Sequence, residues 1–217
     1  MRSLHELIEQ EEPAWLLFVE WIAASAVDVR VLDVDLPLLE KALLDTQVTT
    51  RSPMGAIVHN CAGLLVDNGW LRILGAGGHE SFQRSLPDWN RDRGNGFYLV
   101  ADDAVGGFFA LNGGALGDDL RMIYYFAPDS LRWEACGMGY SDFLGWSMSG
   151  RLKQFCETLR WLNWENETGS ITADQVIGIY PFLFTSGPPI VDRHRGIVAV
   201  SEQYSLQFNL QQQLDGQ

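Results

Sequence analysis

The 217 residues include 28 acidic and 15 basic side chains, a formal net charge of −13, and are 47% hydrophobic and 12% aromatic. That much apolar material excludes a disordered chain. The acidic excess, with no basic stripe to offset it, excludes a nucleic-acid binder, because phosphate backbones are repelled, and favours a cationic partner within a screening length of about 8 Å.

Ser3 to Glu6 spells S-x-x-E, a capping box ahead of a first helix. Pro13 suits the first turn of a second helix, with Trp15, Val19 and Ile22 at helical spacing. Val29 to Leu32 reads as a short strand. Asp35 and Pro37 open a third helix, LPLLEKALLD, which ends near Asp45. After Pro53 come three apolar runs, AIVHN, LLVD and WLRIL, read as a first β meander. The turn Asn68-Gly69 lies between the last two runs, and both of its residues tolerate positive φ. Gly75 to Asp92 is a polar connection with one helical turn at Leu86 to Trp89. The Gly75-Ala76-Gly77-Gly78 stretch inside it lacks the Lys-Ser/Thr of a phosphate-binding loop and reads as a plain loop.

A second meander runs from Gly96 to Ala135. Its strands are apolar almost throughout, which predicts cover on both faces. Gly106 and Gly107, at the start of one strand, predict a bulge or the close packing of another backbone. Ser141-Asp142 opens a helix, and Gly150 separates it from RLKQFCETLRW, where Phe155, Leu159 and Leu162 share a helical face. Ser186 to Arg195 is a loop. The tail from Val198 is ambiguous: Leu206, Leu210 and Leu214 fit a helix, the favoured reading, while Tyr204, Leu206, Phe208 and Leu210 alternate as in a strand. The fold class is α+β, with antiparallel meander sheets in the middle and helices at the N-terminus and after the sheet. Residues 1–150 are expected to form the α+β domain, with 151–217 an extension packed on it.

The first twelve residues, MRSLHELIEQEE, carry charges where a signal peptide needs an apolar core. No stretch approaches the ~18 apolar residues of a membrane span. Cys61, Cys136 and Cys156 lack the close pairing of a disulfide framework. Together these features predict a cytoplasmic protein with no membrane or nucleic-acid partner.

Catalytic signatures are missing from the sequence. There is no nucleophile elbow, no P-loop and no dinucleotide fingerprint. The four histidines are scattered, so no metal or cofactor is expected. His59 and Cys61 read as a packed strand histidine with a neighbouring thiol rather than as a nucleophile pair. The best acidic clusters are Asp102-Asp103 and Asp118-Asp119. Paired carboxylates can hold a cation or exchange protons, but aspartates are also ordinary turn formers. Neighbours on a strand point to opposite faces, so only one of each pair would enter a common site. Among the aromatics, Tyr124, Tyr125, Trp133 and Tyr140 have polar tips suited to a partner surface. The candidate partner-binding residues are therefore Asp102, Asp103, Asn112, Asp118, Asp119, Tyr124, Trp133 and Tyr140.

The segments CAGLLVDNGWLRILG, GFYLVADDAVGGFFALNGGALGDD and YYFAPDSLRWE resemble an uncharacterised bacterial family of similar length. More distantly, Gly96, Asp102, Gly106, Gly107, Phe109, Tyr124 and Tyr125 are spaced as in the SUKH superfamily. That resemblance implies a SUKH-like α+β fold and, since many members are immunity proteins, capture of a secreted toxin. The expected function is a non-enzymatic binding module for a basic, toxin-like protein. The alternative is a small divalent-cation-dependent enzyme or ligand-binding protein using Asp102, Asp103 and Asp118. The sequence leaves the oligomeric state open.

Overall fold

A computed structural model describes residues 1–216. Gln217, the final residue of the expected C-terminal extension, lies outside the described residues.

The N-terminal quarter is helical: α1 (Leu4–Leu7), α2 (Ala14–Ala23), α3 (Leu36–Thr46) and α4 (Pro53–Asn60), with β1 (Val29–Leu32) between α2 and α3. The Ser3–Glu6 capping box forms as read. The face of α2 differs from its expected pattern. Phe18 is its buried residue, while Val19 points outward.

The AIVHN run corrects the sequence reading, because it lies in α4 and not in a strand. Ser52 caps this helix, its hydroxyl accepting from Gly55 N at 3.1 Å, and Pro53 takes the first turn. Met54 to Val58 are all buried. A helix covered on every side loses the polar stripe that would mark its period, so a short apolar run of this kind looks like a core strand. His59 is accordingly a helix histidine.

The sheet is made of β1, β2 (Gly63–Val66), β3 (Leu71–Leu74), β4 (Phe97–Asp103), β5 (Phe108–Asn112), β6 (Met122–Ala127) and β7 (Arg132–Gly139). All seven are antiparallel and stand in chain order, so the two expected meanders are one sheet, joined where β3 pairs with β4. The β2–β3 turn has positive φ at Asp67, Asn68 and Gly69.

Register sorts the side chains into two rows. One face carries Arg30, Leu65, Arg72, Asp102, Phe108, Phe126 and Trp133 across the seven strands. The other carries Val31, Leu64, Ile73, Ala101, Phe109, Tyr125 and Glu134. Residues of β4 to β6 are buried almost throughout, as their composition predicts, and so are those of β2 and β3. β7 departs from the expected cover on both faces, because it is the sheet's edge strand and its residues are exposed or half-buried.

On the second face lie α6 (Tyr140–Ser147) and α7 (Arg151–Phe155), where Phe143 packs on Phe109 with ring centroids 5.0 Å apart. The expected long helix after Gly150 is only α7 and a 3₁₀ turn at Glu157–Leu159. Leu162 leaves the shared face and is 81% exposed. On the first face lie α5 (Leu86–Asn90), the hairpin of β8 (Gln175–Tyr180) and β9 (His194–Ala199), and α9 (Val200–Asp215). The short α8 (Trp164–Gly169) precedes this hairpin. Phe208 of α9 stacks on Phe126 at 4.5 Å, and Tyr204 meets Phe108 edge-on at 5.1 Å. Each such pair adds roughly 0.5–1.5 kcal/mol beyond the area it buries. Val176, Ile177 and Val200 join the same hydrophobic core as the sheet.

Candidate functional site

Arg72 is the one charge in the apolar run WLRIL, and Asp102 faces it across the β3–β4 ladder. Both are buried. Arg72 Nε donates to Asp102 Oδ1 at 2.6 Å, and Nη2 pairs with the same oxygen. The second carboxylate oxygen accepts from Arg84 Nη1 at 2.5 Å. Arg84 comes from the connection between β3 and α5. It also donates to Ala173 O at 2.5 Å and pairs with Asp174 at 3.3 Å. Its guanidinium lies over the rings of Phe82 and Trp89, 5.3 and 4.8 Å from their centroids. Two arginines thus consume Asp102, and the assembly ties the sheet to the chain entering β8. Burial pulls the Arg72 pKa down from its usual value, and Asp102 pulls it back up.

Asp103 points to the opposite face. Its Oδ1 accepts from Val105 N at 2.9 Å and Gly107 N at 2.8 Å, so it does shape the β4–β5 turn. Its Oδ2 accepts from the Tyr125 hydroxyl at 2.6 Å. Gly107 is required there, because a Cβ would collide with Asp103 Oδ2 and the Tyr125 hydroxyl. The close approach at this glycine pair is made by side chains and not by the second backbone expected from the sequence. Burial raises the pKa values of both Asp103 and Tyr125.

Beyond Tyr125, on the same face, a cavity of about 220 Å³ opens beside the edge strand β7. Its rings are Phe109, Tyr125, Phe143, Trp146 and Phe155. Phe155 stands edge-on to Tyr125 at 5.0 Å and to Trp146 at 5.2 Å, and is 40% exposed. Cys136 and Met138 complete the wall, and Glu134, paired with Tyr125 across the ladder, supplies its one charged residue. Glu134 Oε1 accepts from Ser130 Oγ at 3.1 Å. Burial pushes the Cys136 thiol up to about 11 and the Cys156 thiol to about 12, so neither is a thiolate near neutral pH. The cavity is built to hold a group rather than to attack one.

The remaining expected residues fall elsewhere. Asn112, Asp119 and Tyr124 do come together: Asn112 donates to Gly117 O and Asp119 O and accepts from Gly114 N and Leu116 N, while Tyr124 donates to Asp119 Oδ1 at 2.5 Å. They fold the β5–β6 loop, and Asp118 is exposed within it. Trp133 packs on Phe126 and Phe97 on the first face. Tyr140 begins α6 and packs on Phe143 at 6.4 Å. Asp102, Asp103, Asn112 and Tyr124 are buried and do not offer their carboxyl, amide or ring to a partner's surface.

A shared cation site at Asp102, Asp103 and Asp118 is not assembled. The first two point to opposite faces, and Asp118 follows the far end of β5. Among the described residues no group of three or more His, Cys, Asp or Glu could hold a metal ion. The His59–Cys61 pair is no nucleophile either, since burial drives the Cys61 thiol up to about 12. All three cysteines are free. The glycine loop spends its amides internally, Gly77 N on Ala62 O and Gly78 N on Gln83 O. No helix of the described residues is long and apolar enough to cross a membrane.

Sequence reasoning missed Arg72, Arg84, Glu134, Cys136 and Phe155. Arg72 carried a usable signal, a lone charge in an otherwise apolar strand, which in a core implies a buried counter-charge. Residues 4–203 match the family described as "Protein of unknown function DUF2625". The chain belongs to that family. An uncharacterised Escherichia coli (strain K12) protein, YbfG, is 39% identical over 215 residues, covering 98% of each chain. An uncharacterised protein of Haemophilus influenzae (strain ATCC 51907 / DSM 11121 / KW20 / Rd) is 34% identical over 218 residues, covering 97% of this chain and 91% of the relative. No solved structure matches. Neither the family nor these relatives carry the expected SUKH relationship.

Proposed function

We propose that this DUF2625 protein is a non-enzymatic binding module that captures a basic protein in the cytoplasm, as an immunity protein captures a toxin. The observation that carries this reading is the cavity beside β7, which has five aromatic walls and whose only charged lining residue is acidic. Aromatic pockets of this kind serve as anchor sites in protein interfaces. The net charge of −13 speeds encounter with a basic partner. The thiols in and behind the cavity are protonated and the best acidic groups are locked in ion pairs and turns, which favours binding over catalysis.

Affinity capture from the cell's own lysate at low and high salt tests it. The expected result is one basic protein in stoichiometric yield, lost at high salt, and lost when Phe155→Ala opens the cavity wall. Capture indifferent to salt, or restricted to chaperones, overturns it.

A further inference from the structure

We infer that the cavity beside β7 is a recognition site for an alkyl cation, the chemistry of a lysine side chain. This deepens the reading above by naming the group that enters. Three independent features converge on it. The walls formed by Phe109, Tyr125, Phe143, Trp146 and Phe155 are aromatic, and ring faces attract cations while their bodies accept an alkyl stem. The register pairs Glu134 with Tyr125 on the face where the cavity lies, so a carboxylate stands beside the rings. No basic residue lines the cavity to compete for it.

The geometry also orders the two parts of the ligand. The Tyr125 hydroxyl spends its proton on Asp103 and both residues are buried, so the inner end of that ring lies away from solvent, whereas Glu134 stands at the exposed end. The stem therefore lies along the rings, and the charge stays with Glu134, on the exposed strand β7. A neutral chain of the same length would gain the apolar contacts alone, and an anion would meet Glu134.

Cys136 provides a local reporter, since it lines the cavity while Cys61 and Cys156 are buried. The experiment is alkylation of Cys136 by excess iodoacetamide in the intact protein at about pH 9, where the small thiolate fraction of a thiol raised to about 11 still reacts and the amine stays protonated. Its rate is read by mass spectrometry with n-butylammonium or its neutral isostere n-butanol present. Protection by n-butylammonium is expected at a roughly tenfold lower concentration than by n-butanol. Glu134→Gln, at an exposed position, is expected to abolish that preference while leaving weak protection by both. Equal protection by the two probes, or none by n-butylammonium, overturns the inference. If the cation is preferred but Glu134→Gln leaves protein capture unchanged, the cavity takes a free amine instead of a partner's side chain. That outcome sustains the site and removes its role in the partner reading.

Discussion

Asp102 and Asp103 are neighbours in the chain, yet they serve opposite faces of one sheet. Asp102 holds Arg72 and Arg84 on the side covered by α9, and Asp103 holds Tyr125 and two turn amides on the side covered by α6. The period of two in a β-strand forces this division. Each carboxyl therefore has its own energetic consequence, and the two can be perturbed separately.

Asp102→Asn would leave Arg72 buried with no counter-charge and Arg84 with only the half-exposed Asp174. Removing one partner of a buried ion pair destabilises by about 3–5 kcal/mol. The exposed Lys41–Asp45 pair supplies the contrast, and Lys41→Ala should change stability by no more than about 0.5 kcal/mol. Urea unfolding of both variants compares them directly, and near-equal effects would contradict the assigned role of Asp102.

Burial holds the Asp103 carboxyl above its ordinary value of 3.8, against the hydrogen bonds from Tyr125, Gly107 and Val105. The native state therefore binds that proton more tightly than the unfolded chain does. The resulting stabilisation is complete below the unfolded value and is lost as pH rises through the folded one. Asp103→Asn keeps an oxygen for the two amides and should lack this dependence. Unfolding free energies measured from about pH 3 to pH 8 should show wild-type stability falling relative to the variant as pH rises. A constant or increasing difference would refute the raised carboxyl.

Gly107→Ala drives a methyl group into Asp103 Oδ2 and the Tyr125 hydroxyl, and neither can withdraw without breaking their hydrogen bond. A loss of about 1–3 kcal/mol is expected. Gly145 lies in α6 with nothing within 4 Å of an added Cβ, so Gly145→Ala should stabilise by about 0.5–1 kcal/mol. Thermal melts of the two variants should move in opposite directions.

The sheet was legible where the chain pairs with its immediate neighbour. Asn68-Gly69 and the runs from Gly96 to Ala135 give β2–β3 and β4–β7 because turn chemistry and strand composition are local properties. The AIVHN run was not legible, since a helix buried all round presents no period. Of the expected site residues, Asn112, Asp119 and Tyr124 do meet, but as the frame of a loop. The cavity was hidden because its walls come from β5, β6, β7, α6 and α7, and no spacing in the sequence announces a recess among five elements. Arg84 was equally silent: its partners Ala173 and Asp174 lie some ninety residues further along the chain.

The strands stand in chain order, and at β2–β3 and from β4 to β7 each pairing step closes only a short loop, so these hairpins can zip up one after another. The row from Phe108 through Phe126 to Trp133 has no such local cover. Its lid is α9, which is synthesised after every strand of the sheet has emerged. Until that helix arrives, the growing chain carries a finished sheet with a greasy, unshielded side. The period between the sheet's assembly and the docking of Tyr204 and Phe208 is when this protein is most exposed to aggregation and to chaperone capture.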